Sequence, residues 1–74
     1  MECQNGFNSG KRKGERYAKN FDKSKDSKYD LAILLKSLPV NNSSIYSMCR
    51  VFGAKVGYKD MSHMINTPKG ILNS

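Results

Sequence analysis

A compact apolar-periodic segment runs from Tyr29 to Leu72, and the stretch before it is mainly polar and basic. Only about 44 residues therefore carry the pattern that a core needs, which allows one small domain and no more. Residues 1–28 hold Lys11, Arg12, Lys13, Arg16, Lys19, Lys23, Lys25 and Lys28 against Glu2, Glu15, Asp22 and Asp26, a net of +4 within a whole-chain charge of +7. Rich in Ser, Asn and Lys, with glycine at positions 6, 10 and 14, this segment has too little apolar surface to order itself and reads as a disordered arm. Phe7, Tyr17 and Phe21 stand out within it. Tyr17 and Phe21 lie four residues apart, as on a short helix formed on binding.

The first predicted element starts near Asp30, a residue type that caps helix N-termini. Leu31, Leu34, Leu35 and Leu38 follow at i, i+3, i+4 and i+7, and Pro39 forces a stop. After a turn at Val40, Asn41 and Asn42, Ser43 or Ser44 can cap a second helix. Its stripe of Ile45, Met48, Cys49 and Phe52 repeats the same spacing, and Gly53 is placed to end it. Facing stripes would bury Leu34, Leu35, Met48 and Phe52. Asp60 is placed to cap a third helix bearing Met61, Met64 and Ile65 ahead of Pro68; Gly70 then allows Ile71 and Leu72 to fold back. The expected fold is mainly α: a disordered basic arm at 1–28 and a small three-helix domain at 29–74.

The chemistry-bearing residues are sparse. Cys3 and Cys49 are 46 positions apart, with no apolar pattern holding Cys3 beside anything, so Cys3 reads as a free thiol and Cys49 as a small core residue. Reduced thiols and the absence of a leading apolar stretch argue for a cytoplasmic or nuclear protein that is not secreted. His63 is the single histidine, so a metal site lacks ligands and none is expected. It also lacks a nucleophile or paired carboxylates for catalysis, and the Gly10–Gly14 segment lacks the phosphate-loop pattern, so no enzyme and no cofactor is expected. The longest apolar run, Leu31 to Leu35, is too short to span a membrane. Asn41 and Asn42 fit the glycosylation triplet, which carries no weight without a secretion signal.

Charge supplies the functional expectation. Lys11, Arg12, Lys13, Arg16 and Lys19 on the arm, with Arg50, Lys55 and Lys59 on the domain, would neutralise phosphates, while the interleaved aromatics could stack on unpaired bases. A helix-turn-helix with its turn at Gly53–Tyr58 is one arrangement, although Lys59, Ser62, His63 and Asn66 are a thin set for reading bases. The leading expectation is a non-catalytic, regulatory nucleic-acid-binding protein. The alternative is a regulator or inhibitor of an enzyme of nucleic-acid metabolism, docking on an acidic protein partner through Tyr46, Met61 and Met64. Self-association is compatible with either. Small size and high positive charge resemble accessory proteins of phages and mobile elements in general terms, without a family motif.

Overall fold

The computed structural model describes residues 2–39, 41 and 43–66, and within them the chain is helical, without a strand. Helix α1 spans Glu2–Ser24, a 3-10 turn Ser27–Tyr29, helix α2 Leu31–Ser37 and helix α3 Ile45–Asn66. The basic segment is therefore not a disordered arm. It is the longest helix of the protein, with Glu2 in its first turn and Lys23 in its last, charges that suit the helix dipole at each end.

The reason α1 folds lies in residues that carry no hydrophobic signal. Gly6, Gly10, Gly14 and Ala18 recur every fourth position and are its four buried residues. They form one narrow face. That face lies against α3, whose own buried residues are Gly53, Ala54 and Gly57. A methyl group built on Gly6 would collide with the carbonyl of Tyr46, on Gly10 with that of Arg50, and on Gly14 with that of Ala54. From the other side, Gly53 abuts the Phe7 carbonyl and Gly57 the Lys11 carbonyl. Residue numbers rise together on both helices, so α1 and α3 run parallel with their backbones in direct contact. Stripes of small residues permit this approach and bring the two backbones into dispersion contact.

A disulfide joins Cys3 to Cys49 near the start of the pair, with the α carbons 5.2 Å apart. It overturns the reading of Cys3 as a free thiol and of Cys49 as a plain core residue. The argument from reduced thiols for a cytoplasmic or nuclear setting loses its footing with it.

Between the parallel helices the chain must return the length of α1. Lys25 adopts φ 57°, the left-handed conformation that ends helices, and its N–H reaches the Phe21 carbonyl at 2.7 Å. Asp26 then accepts from the Lys28 N–H at 3.0 Å, shaping the 3-10 turn. Asp30 does occupy the N-cap position of α2, but its side chain makes no capping bond. At the far end Ser37 Oγ donates to the Leu34 carbonyl, and α2 ends two residues before Pro39. Ser44 Oγ accepts from the Ser47 N–H at 3.2 Å, the bond expected of the α3 cap. Ser47 Oγ donates to the Pro39 carbonyl at 2.8 Å and ties the connection down.

Helix α2 lies over one side of the parallel pair. Leu34, Leu38 and Ala54 are buried together, with Tyr17, Leu31, Leu35, Val51 and Tyr58 packed around them. The leucine face of α2 thus behaves as its spacing predicts, with Leu34 fully buried and Leu35 partly so. The expected partner stripe does not. Ile45, Met48 and Phe52 are 60%, 54% and 61% exposed, because α2 covers the Val51, Ala54 and Tyr58 side of α3 instead. Nor does Gly53 end a helix: α3 runs through it and through 54–58 without a break, so the turn of a helix-turn-helix is absent. The expected second and third helices are one. The α carbons span 44 × 28 × 12 Å, a slab. The expectations for Pro68, Gly70, Ile71 and Leu72 lie outside the described residues.

Candidate nucleic-acid interface

Two residues further along a helix is about 200° further round its axis, so Arg12 and Arg16 stand on the far side of α1 from Gly10 and Gly14. Lys19 and Lys23 continue the same line at i+7 and i+11 from Arg12, and all four are exposed. The result is a ridge of four cations about 16 Å long at 1.5 Å per residue. Lys25 pairs with Asp22 at 3.4 Å and Lys28 with Asp26 at 3.9 Å. Arg12, Arg16, Lys19 and Lys23 pair with no carboxylate among the described residues; Arg12 makes only a long Nε–H bond of 3.4 Å to the Asn8 carbonyl. Phosphate on this ridge would displace no described carboxylate.

The other expected cations fall elsewhere. Lys11 and Lys13 flank the glycine face and are half-buried. Lys55 and Lys59 are exposed on α3, one turn apart, on a different helix from the ridge. Arg50 sits against Gly10 of α1 through its backbone, and its side chain is partly buried with Nε lacking a hydrogen-bond partner. It shares a cleft of about 220 Å³ with Tyr46 and Pro39. The eight expected cations are thus split between the two long helices. Lys23, outside the expected set of site residues, shares the ridge through its 12, 16, 19, 23 spacing, which shows only once the segment is read as a helix.

The expected protein-docking trio is dispersed as well. Tyr46 and Met64 lie at opposite ends of α3, about 27 Å apart at 1.5 Å per residue, and Met61 is half-buried. Met64 is 60% exposed and Tyr46 39%. Among the described residues no group of three His, Cys, Asp or Glu is placed to hold a metal, and no helix is long and apolar enough to cross a membrane. Among the described residues, Tyr58 is the one titratable side chain with a displaced pKa. Burial raises it above the usual value near 10, the charge of Asp30 adds to the rise, and a hydrogen bond to the Leu31 backbone opposes it. Its setting is the α2–α3 core rather than the ridge.

No family model matches the chain, no curated protein matches it, and no solved structure matches it.

Proposed function

We propose that the protein is a small, basic, non-catalytic nucleic-acid-binding protein with a regulatory role, contacting phosphates through the outer ridge of α1. The observation that carries this reading is the alignment of Arg12, Arg16, Lys19 and Lys23 on the exposed side of a folded helix, unpaired with any described carboxylate. A disordered arm would lose conformational entropy on binding; a helix already docked by its glycines carries its cations in fixed register. Asn20, one turn from both Arg16 and Lys23, is the one amide within the ridge, a thin set for reading bases, so the ridge contacts the backbone of the nucleic acid and carries affinity rather than sequence reading.

Titration of labelled duplex DNA, single-stranded DNA and RNA at two salt concentrations tests the reading. Four phosphate contacts on duplex give a log-log salt slope near −3.6, at about 0.9 per phosphate. Replacing all four ridge cations with alanine should flatten the slope by roughly 3–4 units, while replacing Lys55 and Lys59 should change it less. Absence of binding to all three polymers at low salt would remove nucleic acid as the partner.

A further inference from the structure

The side of the slab opposite α2 carries apolar side chains that no part of the described chain covers. Ile45, Met48 and Phe52 lie at i, i+3 and i+7 on α3, each more than half exposed. Phe7 of α1 joins them, its ring centroid 5.9 Å from that of Phe52. The Cys3–Cys49 disulfide falls within the same patch, since Cys49 lies between Met48 and Phe52, and it fixes the α1 turn that carries Phe7. These groups occupy about 10 Å along the α3 axis, two turns of helix.

Charge selects the occupant. Lys11 is one turn beyond Phe7 on α1, and Lys55 and Lys59 follow Phe52 at i+3 and i+7 on α3. Glu15 and Asp60 come only after Lys11 and Lys59 respectively. An apolar patch that leads into three lysines is complementary to a segment with apolar anchors followed by carboxylates. A second copy fits poorly, because pairing the patch with itself brings two chains of charge +7 together. We infer that the Phe7, Ile45, Met48 and Phe52 face is a docking surface for an acidic amphipathic helical segment of a protein partner. This surface is separate from the α1 ridge and does not depend on the nucleic-acid reading.

The probe is a displayed library of random 16-residue peptides panned against the oxidised protein, with the enriched sequences measured as synthetic peptides. The expected winners carry net negative charge and apolar residues at i, i+3 or i+4, and i+7. Their affinity should fall at least tenfold on Phe52→Glu and on Met48→Glu, with circular dichroism unchanged, and should survive Arg12→Ala with Arg16→Ala. Three results would overturn the inference: no enrichment, winners that are not acidic, or binding that ignores both glutamate variants and follows the ridge arginines. A dimer in sedimentation that Phe52→Glu splits would also overturn it, by making a second copy the occupant.

Discussion

Gly53 of α3 lies so close to the carbonyl of Phe7 in α1 that a methyl group on it would overlap the oxygen. Gly10 stands in the same relation to Arg50. In an isolated helix, alanine is more favourable than glycine by about 1 kcal/mol, so the direction of a Gly→Ala change separates propensity from packing. Gly10→Ala and Gly53→Ala should each destabilise the protein by about 2–3 kcal/mol or more through overpacking against backbone. Lys19→Ala on the exposed side should be nearly neutral. Urea unfolding of the three variants checks this, and a stabilised Gly10→Ala would show that the helices do not touch there.

The disulfide joins residues 46 positions apart, and constraining the unfolded chain over such a loop stabilises by roughly 4 kcal/mol in the chain-entropy description. Apart from the contact of Gly6 with the Tyr46 carbonyl, few other groups hold the start of α1, since Gln4 and Asn5 are exposed. Reduction, or Cys3→Ser with Cys49→Ser, should lower the urea midpoint by an amount matching that figure. Equal midpoints with and without reductant would remove the disulfide from the account of stability.

Leu34 is fully buried and Phe52 largely exposed, so the two should respond oppositely to truncation. Leu34→Ala should cost about 2–5 kcal/mol, whereas Phe52→Ala loses one aromatic contact with Phe7 and should cost no more than about 1 kcal/mol. Thermal melts of the pair distinguish this arrangement from one in which the Ile45, Met48 and Phe52 stripe is the core.

Tyr58 titrates above its usual value near 10 because it is partly buried. The folded state thus holds its proton more tightly than the unfolded state. The resulting stabilisation is fully present below pH 10 and is lost as pH rises from there through the folded pKa. Tyr58→Phe should flatten the decline in stability above pH 10, read by urea unfolding at stepped alkaline pH; an unchanged slope would place the tyrosine in water.

These outcomes turn on how unevenly the fold is written in the sequence. The α2 face of Leu31, Leu34, Leu35 and Leu38 is legible because it packs by apolar side chains, and Pro39 marks its end. Of helix α1 only the Tyr17 and Phe21 spacing is legible to the same reasoning. Its contact with α3 is made chiefly by backbone, and hydrophobic periodicity has nothing to register where glycine replaces leucine. The available signal is the four-residue spacing of Gly6, Gly10, Gly14 and Ala18, matched by Gly53 and Gly57 in the later segment. The same glycines account for the error at Gly53, a residue read as a helix end that instead marks a close crossing. The cations were legible as a set. Their division between the α1 ridge and α3 was not, because it requires knowing which side of α1 faces inward.

Backbone NMR of the free, oxidised protein reports whether the basic segment is a folded helix docked on α3 before any partner binds. Continuous helical Cα shifts from residue 2 to residue 24 are expected, with nuclear Overhauser effects from the Gly10 α protons to the Arg50–Ala54 turn. Random-coil shifts across residues 2–24, with no such cross-peaks, would contradict a docked helix.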